Sequence, residues 1–391
     1  MDSITQGLLG AVTAQLGFRQ RIGRDAAWVA AGAAMLPDLD VLVGPILSLS
    51  GAETGDFTMV TVHRGLSHSL LAVPLIALVP ALVWWYLRRR AGNRRQGNPE
   101  HPGAANAPQE TAAASARQAA PFRLLYACML AAVLSHPLLD WCTSYGTQLF
   151  LPLANARYAI DAVPIIDFIY TPILAATLIA CYVTGKIARA PRIRTTMIVA
   201  WTGMALSTGY IVAGRFFHDL AISRAREGAG QARVVAADAY PALGSIFLWR
   251  TVLRTDDGWT VARIHVFSHG GVKPTFVAED DNNEWVRRAR DLEEAKQFDW
   301  FAMGRMRAGY ARRGGLQAAV NRGPEASNGL HIVEFHDMRY GRRTDSVESL
   351  WGLRVTFDEK GRLAQVHRFQ AYRGHSVREA LRQAWHDVWN P

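Results

Sequence analysis

Long apolar stretches occupy much of the first half of the chain. A helix that crosses a lipid bilayer needs about 20 mainly apolar residues. The stretches that reach or nearly reach this length are 66–87, 122–139, 163–183 and 195–214. Two shorter stretches, 3–18 and 26–36, are open to three interpretations: short crossings, half-helices or a hairpin in the membrane plane. The pattern predicts a mainly α membrane bundle of about four to six helical segments.

The second half of the chain has the composition of a soluble domain. Residues 1–214 are rich in Ala, Leu, Ile and Val, whereas residues 215–391 are rich in charged residues. A mean hydropathy of +0.01 is what the average of two such halves gives. We therefore expect a membrane domain at 1–214 followed by a small soluble α+β domain at 215–391. Its hairpin and helix signals lie at Asp257-Gly258, 359–361, 283–310 and 376–389.

The distribution of basic residues predicts the orientation of the bundle. If all six stretches cross, the loops 19–25, 88–121 and 184–194 share one side and carry 13 Arg and Lys residues. The opposite loops, 37–65 and 140–162, carry two. Basic residues accumulate in cytoplasmic loops, so we expect the soluble domain to be extracytoplasmic. Because the net charge of +10 is largely a topology signal, we expect no direct contact with nucleic acid.

One of these loops has the composition of a disordered segment. Residues 92–121 are of low complexity and rich in Ala, Pro, Gly and Asn. Such a segment cannot bury enough apolar surface to order itself. We therefore expect 88–121 to be a disordered cytoplasmic loop.

Side chains that commonly bind metals lie at the edges of the apolar stretches. They are Asp38 and Asp40 in LPDLD, His63 and His68 in HRGLSHS, and His136 and Asp140 in SHPLLD. Ionisable residues are costly beside membrane segments and usually mark function there. In the six-crossing arrangement, all three motifs fall at the extracytoplasmic end of the bundle. The positions of the motifs and of the basic residues are independent, and together they predict one composite site for one or two divalent metal ions.

Two of the motifs have spacings that suit metal binding. His136 and Asp140 are four residues apart and share one face of a helix, so both can bind one ion, or Asp140 can orient His136. The alternative is a polar helix end that contacts lipid headgroups. Asp38 and Asp40 follow Pro37, where two carboxylates can bind a divalent ion or serve as ordinary turn residues.

The third motif fits a site only if its first histidine precedes the helix. His63 and His68 are five residues apart, about 140° around an ideal helix, so they cannot share a helical face. Arg64 beside them suits an anionic substrate such as a phosphate. Ser67 is a candidate nucleophile, although a helix cap is its more common role.

Five segments of the sequence together resemble a known family. MDSITQGLLGA, LPDLD, HRGLSHSLL, SHPLLDWCTSYGTQLFLP and RYAIDAVPIIDFIYT are similar, in this order and over residues 1–185, to the YdjM-like family of inner-membrane, predicted metal-dependent hydrolases. The resemblance implies a multi-pass protein of the bacterial inner membrane with hydrolase activity of a phospholipase-like kind. It does not imply DNA binding. Members often have His where this chain has Gln6, so the first segment lacks that imidazole and retains Asp2.

The leading hypothesis is a membrane-bound metal-dependent hydrolase. The six motif residues would hold Zn, Mn or Fe, which mixed nitrogen and oxygen ligands favour. The ion would activate water and polarise a phosphoryl or acyl oxygen. Asp38 or Asp161 would act as general base, and Arg64 and Arg157 would hold a phosphate. A site at the bilayer surface predicts a membrane lipid or a lipid-linked phosphoester or ester as substrate.

Two other functions agree with the same sequence. Intramembrane Asp and His residues can relay protons or bind a transported ion, as in an ion-coupled transporter. Ligands at one end of the bundle argue against this, because transporter sites usually lie near the midplane. The other alternative is an assembly protein without catalysis, whose soluble domain binds a partner.

Overall fold

The helices of the first half pack in pairs that are close in sequence. A computed structural model describes residues 1–49, 62–96, 120–187, 192–268, 273–312, 331–370 and 377–389. The helices of the first half are α1 (Ser3–Gln15), α2 (Phe18–Ile22), α3 (Ala26–Met35), α4 (Val43–Leu49), α5 (Val73–Gln96), α6 (Phe122–Trp141), α7 (Tyr170–Ile187) and α8 (Arg192–Gly228). The two 3₁₀ turns are η1 (Leu36–Leu42) and η2 (Leu66–His68). Helix α1 packs on α3, α5 on α6, and α7 on α8.

The helix α5 shows why these helices need a lipid environment. Its inner face buries Ala77, Ala81 and Trp84, which are three and four residues apart, against the core that it shares with α6. Its outer face leaves Leu75 and Val79 more than half exposed. A contiguous apolar face of this kind is costly in water and natural in a bilayer.

Among the described residues, fewer helices than predicted are candidate membrane spans. Three stretches among the described residues are long and apolar enough to cross: Ala26–Ile46, Phe122–Trp141 and Arg194–Gly228. Helix α1 has 13 residues, about 20 Å, whereas the hydrocarbon core is about 30 Å thick. Helix α3 reaches the required length only together with η1 and the start of α4. The predicted segment that begins at 66 starts its helix only at Val73, because η2 occupies its first residues.

Two boundaries differ from their predicted positions. Helix α8 has 37 residues and continues through the predicted domain boundary at 214/215. Its apolar part ends at Arg215, and the remaining turns support the first sheet, whose first strand begins at Val234. Residues 88–96 of the predicted disordered loop form the end of α5, and 97–119 lie outside the described residues.

Two antiparallel four-stranded sheets form the C-terminal domain. The first contains β1 (Val234–Pro241), β2 (Leu248–Thr255), β3 (Gly258–His265) and β4 (Thr275–Ala278), and the second contains β5 (Met306–Arg312), β6 (His331–Asp337), β7 (Trp351–Phe357) and β8 (Leu363–Gln370), each in sequence order. Helices α9 (Glu284–Arg290) and α10 (Glu293–Phe301) connect the sheets, and α11 (Val377–Trp389) follows β8.

The local predictions for this domain are mostly confirmed. Both hairpins form, with Leu248 opposite His265 and Trp351 opposite Gln370. The helical prediction for 283–310 extends too far, because the chain from Met306 onward is strand β5. Met306 and Ala308 are buried and alternate with less buried neighbours, which is the period of a strand.

The C-terminal domain rests on the segment between α6 and α7. Arg339 is 2% exposed and donates from Nη1 to the carbonyl oxygens of Ser144 and Tyr145, both at 3.2 Å. The indole nitrogen of Trp300 donates to the carbonyl oxygen of Asn155 at 2.7 Å. The end of the bundle that carries this segment therefore faces the two sheets.

Candidate metal centre

Four side chains converge at the end of the bundle that faces the sheets. Asp38, His68, His136 and Asp140 each place one ligand-type atom within 4.8 Å of the others. The side chains of His68, His136 and Asp140 are fully buried, and that of Asp38 is 14% exposed. These four are among the six residues that the sequence analysis proposes as metal ligands.

The four side chains come from the ends of three structural elements. Asp38 lies on η1, where Pro37 occupies the first turn, and His68 ends η2. His136 and Asp140 lie one turn apart near the end of α6, as their spacing predicts. The N-terminus of α1 completes the wall of the site.

Asp40 and His63 form a pair of their own beside the cluster. Nδ1 of His63 lies 2.8 Å from Oδ1 of Asp40. Oδ2 of Asp40 accepts from the backbone nitrogen of Arg64 at 3.1 Å and from Oγ of Ser67 at 2.7 Å. Asp40 thus organises the loop around His68, and it does not belong to the group of four.

An unusual backbone conformation brings the two halves of this loop together. Arg64 has a φ of 60°, in the left-handed region that few residues other than glycine adopt. The chain reverses there, so His63 and His68 both reach Asp40 although they are five residues apart. Strained residues of this kind concentrate at functional sites.

The hydrogen bonds determine which ring nitrogens carry protons. Nδ1 of His136 lies 2.6 Å from the carbonyl oxygen of Ala34, which can only accept, so the proton is on Nδ1. Ser67 donates its hydroxyl proton to Asp40 and therefore accepts from Nδ1 of His68 at 2.9 Å. In the neutral form, both Nε2 atoms then present lone pairs, and they face each other at 3.0 Å.

Two carboxylate oxygens face the same point. Oδ1 of Asp38 lies 3.3 Å from Nε2 of His136 and 3.6 Å from Nε2 of His68. Oδ2 of Asp140 lies 3.4 Å from Nε2 of His68 and 3.7 Å from Nε2 of His136. A tetrahedral zinc site with bonds of about 2.0–2.1 Å has ligand atoms about 3.3 Å apart. The donor set and its spacing therefore fit a divalent ion.

Asp140 is held from several directions. Its Oδ1 accepts from Nε2 of Gln6 at 2.9 Å and contacts the amino group of Met1. Nε of Arg64 lies 2.9 Å from its Oδ2. Similarly, Oγ of Ser3 donates to Oδ2 of Asp38 at 2.5 Å. Gln6 and Ser3 thus orient the carboxylates from the start of α1, and no motif in the sequence indicates these roles.

A cluster of cations and aromatic rings borders the site on the side of the sheets. Nη1 of Arg64 donates to Oγ1 of Thr143 at 2.7 Å, and its guanidinium lies 4.8 Å from the ring centroid of Tyr145. Arg157 lies 5.4 Å from the same ring and donates to the carbonyl oxygen of Gly146 at 3.0 Å. Both predicted phosphate-binding arginines are therefore near Tyr145.

Asp161, predicted as a general base, lies in a different environment. It has a φ of 53° and is not one of the four clustered residues. Burial raises the pKa of its carboxyl group, and Ser144 and the charge of His218 act in the opposite direction. This carboxylate is therefore separate from the candidate metal ligands.

More than half of the chain matches a known protein family. No curated protein and no solved structure matches the chain. The family described as YdjM inner membrane protein matches residues 1–217 of the 391, a range that contains all four clustered side chains. The family name and the three candidate spans identify an inner-membrane protein. On the basis of this match, the chain belongs to the YdjM inner membrane protein family.

Proposed function

We propose that this protein is a metal-dependent hydrolase of the inner membrane, and that Asp38, His68, His136 and Asp140 hold its ion. One observation carries the proposal: two imidazole nitrogens and two carboxylate oxygens converge in a buried space. When both imidazoles are neutral, the four acceptors face one another and repel, and a divalent cation bound between them would remove the repulsion.

The donor set favours a transition metal over calcium or magnesium. Two imidazoles and two carboxylates suit zinc, manganese or iron. A bound divalent ion supplies Lewis acidity and lowers the pKa of water to near neutrality. Asp40 and the carbonyl oxygen of Ala34 hold the two imidazoles by Nδ1, which would leave both Nε2 atoms available to a bound ion.

Other residues of the chain are placed to act on a substrate. The guanidinium of Arg64 lies beside Asp140 and can stabilise negative charge on an attacked phosphoryl group. His63 has a side chain that is 20% exposed, and Asp40 holds its Nδ1, so its Nε2 is the atom that can exchange a proton with a substrate or with water.

The substrate we propose is a lipid or lipid-linked phosphoester. The family lies in the inner membrane, and the site lies at the ends of helices rather than at their midpoints. Arg64 and Arg157 provide two guanidinium groups near the site, which favour a phosphate over an uncharged carboxylic ester.

Metal content tests the proposal directly. Detergent-purified protein is compared with a His136→Ala/Asp140→Ala double variant by elemental analysis after gel filtration. His386→Ala is the control, because the His386 side chain is 68% exposed on α11. We expect nearly one equivalent of transition metal in the wild type and the control, and a loss of most of it in the double variant.

Activity is then measured on the same three proteins. The substrates are p-nitrophenyl phosphate, bis(p-nitrophenyl) phosphate, p-nitrophenyl butyrate and mixed phospholipid. Hydrolysis that follows the metal content supports the proposal, and the preferred substrate separates phosphoesterase from esterase. A wild type that holds no metal even after reconstitution would contradict the proposal and favour a partner-binding membrane protein.

A further inference from the structure

Four large aromatic side chains are exposed where the C-terminal domain meets the membrane helices. Phe216 is 66% exposed, Phe267 58%, Trp385 54% and Trp389 47%. We call these four residues the aromatic patch. Exposed Trp and Phe side chains in one place usually mark a surface that is covered in the native environment.

The aromatic patch is continuous. Trp385 lies 5.7 Å from Trp389 between ring centroids. Phe247 connects Trp389 to Phe267, at 6.4 and 5.1 Å. Phe217 connects Phe267 to Phe216, at 5.9 and 5.8 Å. The patch therefore joins helix α11 to helix α8 through the first sheet.

The position of the patch along the helices places it at the edge of the bilayer. Phe216 follows Arg215, which ends the apolar part of α8, a candidate span. On the other side, Trp385 packs at 5.5 Å against Phe168, two residues before Tyr170, where α7 begins. Both ends of the patch thus lie where a helix of the membrane half meets the C-terminal domain.

Helix α11 is fixed in this position by its C-terminal end. Arg263 donates from Nη2 to the carbonyl oxygen of Asp387 at 2.7 Å, and Nε2 of His265 lies 3.1 Å from the carbonyl oxygen of Val388. Val388 is 1% exposed. β3 and the buried Val388 side chain hold the C-terminal end of α11. These contacts fix the orientation of the helix, which leaves Trp385 and Trp389 exposed.

We infer that the aromatic patch inserts into the headgroup and upper acyl region of the lipid leaflet next to the candidate metal centre, with α11 lying along the membrane surface. Continuity with α8, itself a candidate span of an inner-membrane family, identifies lipid as the occupant. Trp residues are enriched at this depth, because their rings are amphipathic. Arg382, exposed on α11, can approach lipid phosphates. The inference does not depend on the proposed hydrolysis.

The test uses the full chain in lipid nanodiscs and its tryptophan fluorescence. One set of nanodiscs contains phospholipid brominated near the headgroup end of the acyl chains, which quenches nearby indoles, and the other contains unbrominated lipid. The wild type is compared with Trp385→Phe/Trp389→Phe, which keeps the patch aromatic. The difference between the two signals is the emission of Trp385 and Trp389.

The control is Trp259→Phe. Trp259 pairs with Arg254 at the hairpin tip of the first sheet, seven residues and roughly 20 Å along the strand from Phe247. We expect brominated lipid to reduce the Trp385/Trp389 emission by roughly half or more and to leave the Trp259 emission unchanged. Equal emission of Trp385 and Trp389 in the two lipids would overturn the inference and point to a protein partner for the patch. If the double variant does not pass gel filtration as a single species, the two single variants are measured in the same way.

Discussion

His68 and His136 face each other through their Nε2 atoms at a distance of 3.0 Å. Nδ1 of His68 contacts Ser67 and Asp40. Nδ1 of His136 donates its proton to the carbonyl oxygen of Ala34. Two lone pairs in this arrangement need a cation between them or a shared proton. A metal ion bound between the two nitrogens would engage both lone pairs at once.

The distinction between ligands and supporting residues can be measured. We expect His68→Gln to lose nearly all bound metal, because it removes one of four donor atoms, and His63→Gln to keep it, because His63 contacts Asp40 instead. Asp40→Asn should weaken metal affinity by about 10–100-fold, since it disturbs the group that orients His68. Competition with a chromophoric chelator measures all three, and a loss of metal in His63→Gln would place His63 among the ligands.

The substitution Arg64→Ala should lower turnover without removing the metal. The Arg64 guanidinium lies beside Asp140 without belonging to the donor set, so we expect Arg64→Ala to retain its metal. Hydrolysis should fall by about 10²–10³-fold, because one preorganised positive group is lost. Turnover and elemental analysis are measured on the same preparation, with Arg233→Ala as the control, because the Arg233 side chain is 85% exposed. Unchanged turnover in a metal-loaded Arg64→Ala protein would exclude this role.

Helices α1 and α3, which border the site, are in close contact at Gly10. A Cβ at Gly10 would lie 2.5 Å from Cβ of Ala34 and 2.7 Å from the carbonyl oxygen of Ala30, whereas a Cβ at Gly32 would meet nothing within 4 Å. Gly10→Ala should destabilise the protein by about 1–3 kcal/mol, because it pushes the two helices apart.

The matched control for this prediction is Gly32→Ala. It should leave stability unchanged or raise it by up to about 1 kcal/mol, since alanine is the better helix former. Thermal unfolding in detergent compares the two variants. Equal midpoints for Gly10→Ala and the wild type would show that α1 and α3 can separate without cost.

A buried ion pair in the second sheet should make stability depend on pH. Burial alone would raise the pKa of Glu334, but the hydrogen bond from His336 and the charge of Arg354 hold it at about 2. Nε of Arg354 donates to Oε1 of Glu334 at 2.7 Å. A depressed carboxyl pKa stabilises the fold above the ordinary value of 4.5, and this stability is lost as the pH falls toward 2.

The comparison that isolates this pair is wild type against Glu334→Gln. From the shift in pKa we expect the wild type to have a larger free energy of unfolding than Glu334→Gln, by on the order of 3 kcal/mol near neutral pH. The difference should shrink progressively between pH 4.5 and 2. Unfolding of the full chain is followed across this range, and a difference that is independent of pH would show that Glu334 does not titrate as described.

The part of the site that lies within one helix was predictable, and the part that lies in turns was not. His136 and Asp140 share a face of α6 because the helical period places residues four apart on one side. Asp38 and Asp40 are equivalent by sequence, yet only Asp38 joins the cluster, since Asp40 turns toward Arg64, Ser67 and His63. The spacing of residues along the sequence does not show which of two carboxylates in a 3₁₀ turn faces the site.

The amino-acid sequence by itself determined the membrane half, the two hairpins and the placement of His and Asp at segment ends, because hydrophobic period and turn chemistry are local properties. The tertiary structure alone decided which side chains meet. The left-handed backbone of Arg64, the contacts of Ser3 and Gln6 with the carboxylates, and the continuation of α8 beyond residue 214 depend on packing between distant segments. Such contacts arise only after helices associate, because their energies come from groups far apart in the chain.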